Sequence, residues 1–103
     1  MITIKKINVT NKFSIKFVNI TFEIEDTYED LSKYRFDLYK ADTEFEDFKL
    51  AYSNIQDFEC NDYNVSIQNP EVGYHYKIKI TNTETGESCF SDTASLVTAR
   101  EDE

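Results

Sequence analysis

Tryptophan is absent from this chain, histidine and proline occur once each, and glycine and cysteine twice each. So few glycines and prolines among 103 residues exclude a collagen-like or linker composition and speak against disorder. A lone histidine, His75, leaves no Ser/His/Asp, Cys/His or H-E-x-x-H arrangement to assemble, and no phosphate-cradling P-loop is present. Cations are also short, 11 Lys and Arg against 20 Asp and Glu. The resulting net charge of -9 repels a phosphate backbone, so nucleic acid is not an expected partner. No apolar run approaches the ~20 residues of a membrane span, and Lys5, Lys6 and Asn8 interrupt the stretch where a secretory signal would be apolar. The expectation is a soluble chain with no membrane partner and no export address.

Against these shortages stand 40% hydrophobic residues, with eight Phe and seven Tyr, enough to fill a dry core without disulfide or metal. The length suits one domain that buries roughly two-thirds of the surface its unfolded chain exposes. Apolar residues recur at every second position, the period of half-buried strands, and no 3.6-residue period competes. The first strand runs through Ile2, Ile4, Ile7 and Val9 with one slip of phase, which suggests a bulge or a switch between sheets. A second run, Phe13 to Glu25, alternates as Phe13, Ile15, Phe17 and then Ile20, Phe22, Ile24, with a slip at Val18-Asn19. Asp26 to Lys33 reads as a loop or a single helical turn, and Tyr34, Phe36 and Leu38 begin a third strand whose outward face Tyr39 marks. Ala41 to Asp47 is an acidic solvated loop, Phe48, Leu50 and Tyr52 make a short fourth strand, and Gln56 to Asp62 is a polar crossing.

The most informative stretch is Tyr63 to Ser91. Its fifth strand passes through Tyr63, Val65 and Ile67, and its sixth through Tyr74, Tyr76, Ile78 and Ile80. The corner Asn69-Pro70-Glu71-Val72-Gly73 continues neither, because proline has no N–H and pushes its predecessor out of helical space. Thr83 to Glu87 closes a hairpin in which Gly86 supplies a positive φ. A seventh strand runs from about Ser88 to Thr98. Short strands spaced roughly 8 to 12 residues apart predict an all-β protein, a seven-stranded antiparallel β-sandwich over residues 1–98, with a frayed acidic tail at 99–103.

Pro70 stands four residues before Tyr74; Tyr76, Ile78 and Ile80 follow, then Gly86-Glu87-Ser88 and Ser91. With the third strand YRFDLYKAD, this pattern resembles the fibronectin type III family across nearly the whole chain, through diffuse motifs. Ile24 stands where the family usually has a second-strand Trp, and the Leu before the corner proline is displaced to Ile67. A more general immunoglobulin-like sandwich is the fallback. The resemblance implies a structural corner formed by Pro70 and Tyr74. Physically, such a tyrosine buries its ring between the sheets and returns its hydroxyl to the corner backbone, which is a stabilising role. No Arg-Gly-Asp loop is present, so adhesion by that route is not implied.

Functional residues are sparse. Strand alternation turns His75 to solvent, without the partner or pocket that a general base requires. No catalytic, cofactor-binding or metal residue is assigned and no enzyme is expected. The acidic groups Glu23, Glu25, Asp26, Glu29, Asp30 and Asp42, Glu44, Glu46, Asp47 lack the spacing of a calcium loop and read as solvated faces. Cys60, in the loop before the fifth strand, and Cys89, on the last strand, read as free thiols that do not fix the redox compartment. The N-x-[ST] sequons at Asn8, Asn19 and Asn64 read as chance in a chain without a signal, with a residue usage suggesting an AT-rich microbial or viral genome. Tyr28, Tyr39, Phe45 and Phe58, in loops or on the face opposite the core, are the candidate interface, because exposed aromatics are common anchors of protein contacts.

The expected role is a non-catalytic interaction module whose partner is another protein. Strand one beginning almost at Met1 and the chain ending soon after strand seven suggest a freestanding unit. Proteins of this size and fold resemble phage head-decoration, neck or tail components, which implies a virion location and capsid or tail proteins as partners. Such a unit is a monomer in isolation and present in multiple copies in the assembly. The alternative is a spacer or binding repeat beside neighbouring domains of a bacterial surface protein or an extracellular carbohydrate-active enzyme.

Overall fold

The computed structural model describes residues 2–12, 17–25, 30–41, 47–63 and 73–97. Strands β1 (Ile4–Lys12), β2 (Phe17–Ile24) and β5 (Glu59–Asp62) form one antiparallel sheet in the order β1-β2-β5. The second sheet is built from β3 (Tyr34–Ala41), β4 (Lys49–Tyr52), β6 (Gly73–Asn82), β7 (Ser88–Phe90) and β8 (Ala94–Val97). Its order is β4-β3-β6-β7, and β8 pairs with the same edge of β6 as β7 does. The two sheets face each other across one core. β2 supplies Val18, Ile20 and Phe22, β3 supplies Phe36 and Leu38, and β6 supplies Tyr74, Tyr76, Ile78 and Ile80. Cross-strand register stacks them, Leu38 opposite Ile78 and Phe36 opposite Ile80. Each fully buried aliphatic side chain here contributes roughly 1.5–3 kcal/mol by leaving water.

Several elements sit where the sequence expects them. The register of β1 against β2 slips between Ile4 and Lys6, the anticipated bulge. The single helical turn is a 3-10 turn, Leu31–Lys33, capped by Asp30, whose Oδ1 accepts from the backbone N and the Oγ of Ser32. At the β6-β7 hairpin Gly86 has φ 80° and donates its N–H to the Asn82 carbonyl at 2.8 Å. Asn82 Oδ1 accepts from the amides of Glu84 and Thr85, which tightens the turn.

Other elements differ. The fifth strand lies at Glu59–Asp62, inside the expected polar crossing; Tyr63 is 69% exposed, and Val65 and Ile67 fall outside the described residues. Its alternation was hidden because the inward residues are Cys60 and Asp62, one small thiol and one carboxylate. Cys60 is therefore a buried strand residue rather than a loop thiol, and Cys89 lies on the opposite sheet; both are free. The apparent slip at Val18-Asn19 is not a bulge. β2 begins at Phe17, which pairs with Lys12, and Val18 is fully buried, while residues 13–16 of the expected run lie outside the described residues. The expected seventh strand is two pieces, because Ser91 interrupts the ladder: its N–H reaches the Ile78 carbonyl while its Oγ accepts from the Ile78 N–H at 2.9 Å.

Phe58 also departs from expectation. In the turn Gln56–Glu59, closed by the Glu59 N–H on the Gln56 carbonyl, Asp57 and Phe58 have φ 58° and 60°. Left-handed backbone costs roughly 1–2 kcal/mol per non-glycine residue. The conformation swings the Phe58 ring onto Phe22 and Phe36, with centroids 5.4 and 5.7 Å away, and its carbonyl accepts from the Phe22 N–H. Phe58 is thus partly buried and packed against the core rather than an outward aromatic.

One polar cluster lies inside the sandwich. Asp62, 7% exposed, accepts from Tyr76 Oη at 2.7 Å and from Lys40 Nζ at 2.7 Å, and Lys40 lies 4.6 Å from the Tyr74 ring centroid. Asp62 belongs to the three-stranded sheet and the other three residues to the five-stranded one, so the cluster joins the two layers. Burial, then the hydrogen bond to Asp62, push the Tyr76 phenol above its ordinary value. Burial, helped by Asp62 and Glu59, pushes the Cys60 thiol up to about 12.

Three outcomes follow from this architecture. Gly86→Ala meets no atom within 4 Å, so its cost is conformational alone, about 1 kcal/mol in urea unfolding with an unchanged m-value, and Gly86→Asn costs less. Lys40→Met removes the buried ion pair and costs about 3 kcal/mol, and Lys40→Met with Asp62→Leu recovers most of it; equal losses in both variants would show that the charge is not what matters. The Cys60 thiol has its ordinary value of about 9 in the unfolded chain and is pushed up to about 12 by burial in the folded one, so the unfolded chain holds fewer protons between those values. Stability is then full below about pH 9 and falls above it, with a thiol share of at most about 1.4 kcal/mol per pH unit that Cys60→Ala removes, as urea midpoints across that range measure.

Candidate interaction face

Strand alternation that buries one row of β6 turns the other, His75, Lys77, Lys79 and Thr81, to the outer face of the five-stranded sheet. Beside it β3 presents Arg35, Asp37 and Tyr39, β7 presents Phe90, and β4 presents Leu50 opposite Tyr39. The Tyr39 and Phe90 rings meet edge to face, with centroids 5.2 Å apart and planes at 88°. Lys77 Nζ lies 4.1 Å from the Phe48 centroid and 4.8 Å from that of Phe90; Lys79 Nζ lies 5.7 Å from Tyr39 and 5.9 Å from Phe90. Phe90 is 47% and Leu50 55% exposed, so the centre of this face is aromatic, apolar and cationic at once.

Its charge runs against that of the whole chain. On the described outward strand positions three cations, Arg35, Lys77 and Lys79, face one carboxylate, Asp37, a local balance of +2 on a chain of -9. Asp37 is 3% exposed and already engaged, accepting from Arg35 Nε at 3.1 Å and from the Asn54 N–H at 2.9 Å. Among the described residues no carboxylate lies within 4 Å of Lys77 or Lys79. A shallow open concavity of about 500 Å³ beside Tyr39 is lined by Arg35, Asp37, Leu50, Asn54 and Thr83. The remaining edge partner, β4, is exposed along its whole length.

The candidate residues of the sequence are split by the fold. Tyr39 is on this face, Phe58 is packed against the core, and Tyr28, Phe45 and Pro70 lie outside the described residues. Tyr74 is buried, 6% exposed, between the sheets beneath the Lys40 ammonium. His75 is partly buried on the outer face, its Nδ1 2.6 Å from Ser95 Oγ, and among the described residues no three His, Cys, Asp or Glu side chains gather as metal ligands. Of the acidic loops, only Glu23, Glu25, Asp30 and Asp47 are described. Phe48, Lys77, Lys79 and Phe90 were not singled out from the sequence. The signal was in the alternation itself, since the spacers of His75-Tyr76-Lys77-Ile78-Lys79 must emerge together opposite a core row.

The opposite sheet offers a different surface. Asn19 Nδ2 donates to Glu59 Oε2 at 2.8 Å and to Asn61 Oδ1 at 2.9 Å, and Asn61 donates to Tyr63 Oη at 3.2 Å, so its outer face is a self-satisfied polar ladder. The buried Lys40-Asp62-Tyr76 cluster is enclosed and has the geometry of a structural tie.

No protein-family model and no curated protein sequence matches the chain. Among solved structures, the chain is similar to a Fn3-like protein from Clostridium thermocellum, with 14% sequence identity over 88% of this chain and 85% of that one and a TM-score of 0.68. At that identity the likeness concerns the fold alone: with its two antiparallel sheets the chain is a fibronectin type III-like β-sandwich.

Proposed function

We propose that this chain is a non-catalytic interaction module that packs onto another protein through the outer face of its five-stranded sheet. The observation that carries this reading is the cluster of Tyr39, Phe48, Phe90, Lys77 and Lys79 on that face, with Phe90 exposed and the other four partly buried. Aromatic side chains supply contact area at little entropic cost and dominate the energetics of protein interfaces. The fold supports the same class of role, since its two sheets each turn one face outward. The proposed setting is a virion, with capsid or tail proteins as partners, a monomer before assembly and many copies after it. A spacer or binding repeat of a bacterial surface protein or extracellular enzyme is the second reading, favoured by the bacterial source of the Fn3-like structure that the chain resembles.

The test is site-specific photo-cross-linking in the native host. A benzophenone side chain replacing Phe90 should capture a discrete protein, whereas the same group replacing Thr21 on the polar sheet should capture none. Capture only from Thr21 would overturn the assignment of the face. Mass spectrometry of purified particles decides the setting, because a chain absent from every virion and joined to a signal peptide and a catalytic domain belongs to the second reading.

A further inference from the structure

The outer face of the five-stranded sheet leaves specific chemistry unused. Lys77 and Lys79 stand on the faces of Phe48, Phe90 and Tyr39, which already removes part of the water from each ammonium. Arg35 spends its Nε on Asp37 and keeps its terminal amino groups unpartnered among the described residues, with its side chain 47% exposed. A chain with 20 acids has thus gathered three cations on one face and, among the described residues, placed a single carboxylate against them. Internal neutralisation would have been easy for so acidic a chain.

The rings narrow the choice of ligand. Sugars and nucleobases bind aromatic side chains by stacking on the ring face, and here lysine ammonium groups occupy those faces while Tyr39 and Phe90 meet at 88° rather than as a platform. A continuous phosphate backbone would also run from these cations onto Glu84 and Glu87 in the β6-β7 hairpin or Asp92 on the neighbouring edge, all exposed acids. A short acidic segment meets only the local positive balance, because charges beyond about 8 Å are screened at physiological ionic strength.

We infer that this face recognises a carboxylate-rich polypeptide surface, whose acidic side chains pair with Lys77, Lys79 and Arg35 while its apolar atoms cover Tyr39, Phe90 and Leu50. The inference rests on the reading of this face as the interface and adds the chemistry of the partner.

Amide chemical shifts of the full chain, followed by NMR during titration with hexaglutamate, hexaglutamine and a short oligothymidine, test it. Hexaglutamate should shift the amides of Tyr39, Lys77, Lys79 and Phe90. The effect should weaken at least about tenfold in Lys77→Glu with Lys79→Glu, less in the Lys77→Gln and Lys79→Gln pair, and several-fold on raising the salt. Hexaglutamine shifting the same amides as strongly would overturn the carboxylate inference while leaving the interface reading intact. Oligothymidine acting more strongly than hexaglutamate, or no probe moving these amides, would also overturn it. The fate of the interface reading itself is decided separately by cross-linking from Phe90.

Discussion

A carboxylate taken out of water is the constraint on which this sandwich turns. Burying Asp62 without partners would cost several kcal/mol, and the partners found here, Lys40 and Tyr76, come from the opposite sheet. The ion pair therefore demands that the two layers approach at one relative position, where β5 ends against β6 and the far end of β3. Apolar packing alone tolerates sliding and repacking, but two hydrogen bonds of 2.7 Å to one oxygen do not. Tyr74 and Cys60 share the environment this creates, one beneath the Lys40 ammonium and one with its thiol held protonated far above its usual range.

What happens outside the sandwich is a geometric consequence of that interior. Since Tyr74, Tyr76, Ile78 and Ile80 must point inward, the residues between them have no choice but to emerge on one line. Pairing of β6 with β3 and β7 brings Tyr39 and Phe90 to either side of that line, and the lysine stems lie across the rings. The outer face and the core are two readings of the same alternation. Among the described residues, the outward strand positions of the five-stranded sheet carry one carboxylate, Asp37.

The sequence disclosed most of this plan where alternation used strongly apolar residues. β3, β6, the Gly86 hairpin and the bulge in β1 are all legible from period and turn chemistry. It misled where inward positions carried polar or small residues, as in β5, where Cys60 and Asp62 look like loop residues until a partner across the core explains them. The boundary between β1 and β2 was obscured because no glycine or proline lies between Lys12 and Phe17 to announce it. Phe58 defeated pattern reading because only a left-handed backbone, which a phenylalanine seldom adopts, carries its ring onto the core. Of the candidate face, Tyr39 was visible as an outward aromatic and the two lysines as spacers opposite a core row, whereas Phe90 comes beside them only through strand pairing between distant segments.

The interruption at Ser91 bears on crowding. A continuous edge strand beside β6 would expose a long row of free amides and carbonyls, a template on which further copies could polymerise. Ser91 divides that edge into a piece of three residues and one of four, and turns its own hydroxyl into a substitute rung on Ile78. Neither piece is long enough to seed an ordered stack of strands. Along this edge of β6, one hydroxyl group thereby stands in for a backbone rung and breaks the strand that another chain could pair with.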